Sequence, residues 1–264
     1  MKIIVCIKQV PENNNIDFNP SDLTINRSRV NGIINPFDLN AIEEAVRIKE
    51  KFDDVTISVI SMGPPSFEKT LKEALTYGLD SAYLISDKLF AGSDTFSTAY
   101  ILAESIKAIG DFDLILCGKQ AIDGETGQVG SEIAENLKIP QATNVKKIEF
   151  HENKKIIKVE SDTENGYRVL EVKLPALITV NKEINVPRIP SFKDARKALK
   201  IPIIKWDLGK LKNIDKTKIG LTGSPTKVVN IEKFQKKKDT KFISGTPNEI
   251  VNELYQILKD KHVV

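Results

Sequence analysis

Two spacings of apolar positions alternate along the first half of the chain. Short unbroken runs of aliphatic and β-branched residues lie at 2–7, 55–61, 82–86 and 114–117. Each is strand-length and suits a strand buried on both faces. Between them the spacing lengthens to three and four. Leu39, Ile42, Ala45 and Val46 share one helical face, extended by the stem of Lys49. Phe67, Leu71, Ala74 and Leu75 form a second such face, and Phe96, Tyr100, Ala103, Ile106 and Ile109 a third. Asn35 before Pro36 predicts the cap and first turn of the first helix, with Asp38 at its positive end. Ser66 predicts the cap of the second helix, and Ser93 or Asp94 that of the third. Gly78 and Gly110 mark their ends. Residues 11–26 read as a polar loop, and 25–31 leave a short hairpin open. Strands alternating with helices predict an α/β fold, a parallel sheet covered on both faces.

The period changes after Pro140. Residues 144–150, 156–160 and 167–172 alternate in strand fashion, with turns at Glu152-Asn153 and Glu164-Asn165-Gly166. Residues 177–180 add one more strand to this antiparallel extension of the sheet. From Asn185 the chain is rich in proline and lysine. Ser191 predicts the cap of a helix over 192–199, whereas 206–246 show little periodicity and no core of their own. Thr246-Pro247-Asn248-Glu249 then opens a final helix with the apolar stripe Ile250, Val251, Leu254, Ile257 and Leu258. The expected division is an α/β domain over 1–185 and a loop with a C-terminal arm over 186–264.

With 264 residues, 41% hydrophobic and 28% charged, the chain suits one large soluble domain with appendages. No apolar run is long enough to span a bilayer, and the first residues read as a buried strand, so a cytoplasmic protein without membrane contact is expected. Cys6 and Cys117 each end a strand-like run. They read as buried, inert thiols in a reducing compartment rather than as redox groups. Two histidines far apart in sequence offer no metal-ligand cluster. The net charge of +3 hides a lysine-rich stretch that includes Lys236-Lys237-Lys238. No recognition motif accompanies it, which argues against nucleic acid and for a solvated arm or an acidic partner surface.

The strand at 114–117 delivers the chain to three glycines, Gly124, Gly127 and Gly130, at the start of a helix with Val129, Ile133, Ala134 and Leu137 on one face. Glycine permits close approach of a ligand, and free N–H groups at a helix start attract anions. A phosphate therefore has a seat at 127–130; a turn that binds nothing has the same spacing. The loop lacks the Gly-Lys-Ser/Thr ending of a Walker loop, and it follows the fourth strand, not the first. Ligands of parallel sheets lie beyond the carboxyl ends of the strands, where Lys8, Asn35, Met62, Gly63 and residues 88–94 and 119–130 gather. No catalytic constellation is visible. Asp123 and Glu125 suit a turn and a helix start, so a nucleotide or cofactor binder is favoured over a self-contained hydrolase or transferase.

The stretch GKQAIDGETGQVG followed by SEIAENLKIPQAT resembles the signature of the β subunit of electron-transfer flavoproteins. MKIIVCIKQVPE, INPFDLNAIEEAVRIKE, VISMGPP and VKLPALITV agree, in the family's order, over nearly the whole chain. The resemblance implies a parallel Rossmann-like, adenine-nucleotide-binding sheet with a C-terminal arm that embraces an α subunit in a heterodimer. The ordinary type holds AMP in β, with the working FAD mainly in α. In the electron-bifurcating type, β binds a second FAD, reduced by NADH, and electrons go to the α-bound FAD and to ferredoxin or flavodoxin. The loop from Asp87 to Thr95 and the form of the glycine loop resemble the bifurcating type. Gly127 and Val129 stand where the ordinary type has Asn and Thr, and Glu125 replaces a more usual Asp.

Cofactor-binding residues implied by the resemblance are Ile7, Lys8 and Gln9; Asn35; Met62 and Gly63; Phe90, Ala91, Gly92, Ser93, Asp94 and Thr95; Lys119 and Asp123; and Thr126, Gly127, Gln128, Val129 and Gly130. Ala91, Gly92 and Ser93 leave room for a flavin ring, and an unpaired Lys8 or Lys119 beside it would stabilise a reduced anionic flavin. Arg188, Ile189 and Phe192 sit where the family's partner-recognition loop lies, with Ile189 at the anchor position for a flavin-dependent dehydrogenase of acyl-CoA or lactate type. The loop looks shorter than in the ordinary type. An ordinary subunit with structural AMP is the alternative. A nucleotide-sensing module resembling universal stress proteins is a third reading, opposed by the antiparallel extension and the arm.

Overall fold

The computed structural model describes residues 1–12, 32–151, 155–229 and 240–263. They form two compact units, 1–229 and 230–264. The first unit opens with β1 (Lys2–Cys6), a two-stranded ribbon of β2 (Gln9–Pro11) and β3 (Gly32–Ile34), α1 (Pro36–Lys51), β4 (Thr56–Met62), α2 (Glu68–Leu75), β5 (Ser81–Ile85), α3 (Thr95–Ile109), β6 (Leu114–Gly118) and α4 (Val129–Leu137). It continues with β7 (Gln141–Phe150), β8 (Ile156–Thr163), β9 (Gly166–Lys173), β10 (Ala176–Val180), α5 (Phe192–Ala198), β11 (Ile203–Trp206) and α6 (Gly220–Gly223). The second unit holds α7 (Pro247–Asp260), on which Glu249 accepts hydrogen bonds from the Thr246 N–H and hydroxyl at 2.8 and 2.7 Å.

The main sheet has nine strands in the order β11-β5-β4-β1-β6-β10-β7-β8-β9. It is parallel from β11 to β7 and antiparallel through β8 and β9. Successive side chains of a strand point to opposite faces, and here both faces are covered. Ile3, Val5, Leu114 and Leu116 enter the core with α1 and α2. Ile4, Cys6, Ile115 and Cys117 enter the core with α3 and α4. Burying one such aliphatic side chain stabilises by about 1.5–3 kcal/mol, so β1 and β6 fix where the loops at their carboxyl ends emerge.

Several local expectations are corrected. β10 does not extend the antiparallel part: it inserts between β6 and β7, parallel to both. Its five residues are all buried, which only a central strand allows. Ser66 does not cap α2; Pro65–Phe67 form a 3₁₀ turn that runs into the helix. Asp94 rather than Ser93 caps α3, accepting from the Ser97 N–H at 3.1 Å. The edge strand β11 was not expected, and residues beyond 206 do reach the core, with Leu211 and Ile219 buried. The first compact unit runs to residue 229. The possible hairpin at 25–31, the Glu152-Asn153 turn and Lys236-Lys237-Lys238 lie outside the described residues.

Candidate functional site

The first turn of α1 ties the loops at the sheet edge together. Asn35 is buried, and its side chain does not cap the helix. Instead its Nδ2 donates to the Gln120 carbonyl at 2.8 Å and its Oδ1 accepts from the Ile122 N–H at 3.2 Å. One turn on, the buried Asp38 accepts from the Lys8 N–H at 2.7 Å and the Gly118 N–H at 3.1 Å. Burial pushes its carboxyl up to about 7, against the pull of those N–H groups, the Asn35 side chain and the Lys8 charge. Asp38 thus clamps the ends of β1 and β6; sequence reasoning saw only a helix-start carboxylate. Lys8 Nζ pairs with Asp123 Oδ1 at 2.7 Å, and the aspartate side chain is buried. Lys8 is therefore not the unpaired lysine expected from sequence. Lys119 makes no ion pair among the described residues.

Beyond Asp123 the loop 124–128 is exposed and runs into α4. Gly127 sits at φ +63°, in the left-handed region that favours glycine. Among the described residues, no protein acceptor takes the N–H groups of residues 126–131. Such a run of amides ending in a helix N-terminus suits a phosphate. Gly130 has another reason to be glycine: a methyl group there would lie 2.6 Å from Thr179 Cγ2, so its absence lets α4 seat on β10. At the near end of α3, the Thr95 hydroxyl lies 3.3 Å from Gln128 Oε1 and 3.2 Å from Glu132 Oε1. Glu132 Oε2 is buried without a partner among the described residues, and burial raises its carboxyl. Free amide donors beside an orphaned acceptor fit a ligand that carries both phosphate and hydroxyl groups, as a nucleotide does.

The other expected residues divide into packing groups and surface groups. Ile7 and Phe90 are core residues. Gln9 accepts from the Thr70 hydroxyl at 2.6 Å. Met62 is half-buried at the end of β4, and a methyl on Gly63 would lie 2.4 Å from the Phe67 ring, so packing alone calls for that glycine. Ala91 and Gly92 are exposed, Ser93 is half-buried, and the space a side chain at Gly92 would take is already bounded by Leu221 at 3.0 Å. Val129 is half-buried; Thr126, Gly127 and Gln128 are exposed. Cys6 and Cys117 are free, buried register partners. Contact with Cys6 and burial hold the Cys117 thiol well above the usual range, which keeps it protonated.

The segment around Arg188, expected to recognise a partner, is built on α1. The Arg188 guanidinium reaches Glu43 at 2.8 Å and also pairs with Glu50. Burial raises the Glu43 carboxyl, but its bonds to Arg188 and Arg47 more than offset this and hold it below the usual range. The charge of Arg188 is thus balanced within the chain, while Ile189 and Phe192 are 92% and 85% exposed.

A doubly covered parallel sheet whose strand ends hold an anion-ready loop defines a nucleotide-binding α/β protein. Residues 22–211 match the electron transfer flavoprotein domain. The chain is 45% identical to the electron transfer flavoprotein subunit beta of Thermoanaerobacterium thermosaccharolyticum over 264 residues, the full length of both. It is 41% identical to the caffeyl-CoA reductase-Etf complex subunit CarD of Acetobacterium woodii, again over both full lengths. With the protein FixA of Bradyrhizobium diazoefficiens it shares 44% identity over 88% of this chain and 82% of the relative. The chain belongs to the electron transfer flavoprotein family, as a β subunit. No helix among the described residues is long and apolar enough to cross a membrane.

Proposed function

We propose that the chain is the β subunit of an electron-bifurcating flavoprotein and holds FAD at the sheet edge. The observation that carries nucleotide binding at this edge is the run of N–H groups at 126–131 without protein acceptors among the described residues, beside the orphaned Glu132 Oε2; the form of the 87–95 loop and the likeness to the CarD subunit favour the bifurcating type. The amides of Thr126 to Gly130 would take the phosphates, and Gln128, Glu132 and Thr95 the hydroxyls. The 91–95 loop would face the ring, and Lys119 would balance negative charge there. When bound, the flavin supplies the conversion between the paired electrons of NADH and single-electron carriers. An α subunit with its own FAD, ferredoxin or flavodoxin, and a flavin-dependent dehydrogenase of acyl-CoA or lactate type complete the assembly. Ile189 and Phe192 are the dehydrogenase anchors, and Arg188 supports them from behind. The name of the CarD relative, a subunit of a caffeyl-CoA reductase-Etf complex, supports a reductase partner.

The same phosphate cradle serves AMP in an ordinary carrier subunit, so the test counts nucleotides. The chain is purified with its α subunit, and flavin and AMP are quantified per heterodimer. Two FAD and no AMP, with NADH-driven ferredoxin reduction, is the expected result. One FAD with AMP would replace this reading by the ordinary carrier. A homodimer that binds only ATP would point to a nucleotide sensor.

A further inference from the structure

The loop proposed to face the flavin is not self-supporting. It is held by a second segment, residues 219–226, that lies outside the 22–211 match to the family domain. The Leu221 N–H donates to the Ala91 carbonyl at 3.1 Å, and the Gly220 N–H donates to the Ser93 hydroxyl at 3.2 Å. Asp94 bridges the two segments. Its Oδ1 starts α3 through the Ser97 N–H, and its Oδ2 accepts from the Thr226 N–H at 2.9 Å and hydroxyl at 2.8 Å. The buried Ser224 hydroxyl accepts from the Asp94 N–H at 2.9 Å and donates to the Gly220 carbonyl at 2.7 Å. Both of its hydrogen-bonding roles are thereby filled.

The fit is close enough to exclude other residues. Gly220 lies at φ +61°, and a methyl group there would come 2.1 Å from the Leu89 carbonyl oxygen. Leu221 in turn bounds the space beside Gly92. Hydroxyls, a carboxylate and a left-handed glycine converge on a loop that is otherwise exposed at Ala91 and Gly92. Packing of apolar surface alone would not need this polar set.

We propose that residues 219–226 are a strap that sets the shape of the 89–95 loop, with Gly220, Ser224 and Thr226 as positioning residues for the ring end of the cofactor. The proposal rests on the reading that this loop faces a flavin. The test uses the full chain assembled with its α subunit and compares wild type with Ser224→Ala/Thr226→Val. Gly220→Val is avoided as the main variant because its clash threatens folding. Amide hydrogen exchange at 91–94 is expected to rise about tenfold, and affinity for FAD in this subunit to fall about tenfold, through loss of hydrogen bonds to the loop. The reduction potential of the β-bound flavin is expected to shift as well. AMP, which lacks the ring, should bind within about twofold of wild type, and Thr226→Ser should restore the single Thr226→Val defect to a similar margin. Unchanged exchange, or loosened exchange with unchanged FAD affinity and potential, would overturn the strap while a wild type with two FAD leaves the proposed function standing. A wild-type complex with AMP and one FAD would overturn the flavin reading itself, and the strap's cofactor role with it.

Discussion

Asp38 answers two backbone N–H groups with one buried carboxyl, at the ends of the two central strands. Its folded value of about 7, against 3.8 for the free group, means that folding favours the protonated form. That stability is fully present below pH 4 and is lost as the pH rises through about 7, by up to roughly 4 kcal/mol. Asp38→Asn removes the titration but turns an N–H group toward a backbone donor, at a cost of about 1–3 kcal/mol near pH 4. Urea unfolding from pH 4 to 8 should therefore show a falling curve for wild type and a flatter one for the variant, with the gap closing toward neutrality. Parallel curves would show that Asp38 does not titrate in this range. Arg188 and Ile189 make a second contrast between neighbours. Arg188→Ala leaves the buried Glu43 with Arg47 alone and should cost about 1.5–3 kcal/mol of stability. Ile189→Ala should leave stability within about 0.5 kcal/mol and weaken electron transfer to the dehydrogenase. Equal stability losses would mean that Ile189 packs on its own chain in solution.

Among the elements, the four central parallel strands and the helices between them were legible because their apolar spacing has only one buried solution. The runs at 2–7 and 114–117 needed cover on both faces, and the sheet supplies it. β10 was legible as a strand but not as a central one. Its stretch 176–180, apolar except for Thr179, carried the right signal, yet sequence order set it beside β7–β9, and strand neighbours in a parallel sheet are set by crossovers rather than by order. β11 escaped because Ile203–Trp206 is four residues long, only half-buried, and follows a proline. Its support is tertiary: pairing with β5 and an edge-on contact of Trp206 with Tyr83 at 5.1 Å. At the site, the glycine loop was readable from spacing. Asp38, Thr179 and the strap were not, since each acts across thirty residues or more and leaves no local pattern. Two truncations test this division. A chain ending at Val229 should melt within a few degrees of wild type. A chain ending at Pro202 loses β11 and the burial of Leu211 and Ile219, and should lose about 3–6 kcal/mol or aggregate through the bared β5 edge. Equal melting of the two would mean that 203–229 contributes no stability to the sheet.

For the molecule as a whole, the glycine-loop edge of the sheet and the exposed 188–192 segment belong to the first unit, and among the described residues the second contributes one amphipathic helix. No residue of α7 is buried, and Val251 and Leu254 are 64% and 46% exposed. Its start is nevertheless well defined, with Pro247 in the first turn and Glu249 holding Thr246. A capped helix with an exposed apolar stripe suits a second chain as its cover, and the α subunit is the candidate that family membership supplies. Leu254→Asp places a carboxylate in the middle of the stripe without touching the cap. The isolated chain should keep its helix signal in circular dichroism, while affinity for the α subunit should fall at least about tenfold, the cost typical of a charge forced into an apolar contact. Nucleotide binding, proposed at the sheet edge, should persist in the variant. Wild-type affinity in Leu254→Asp would place α7 outside the subunit interface and leave the arm's role to other residues of 230–264.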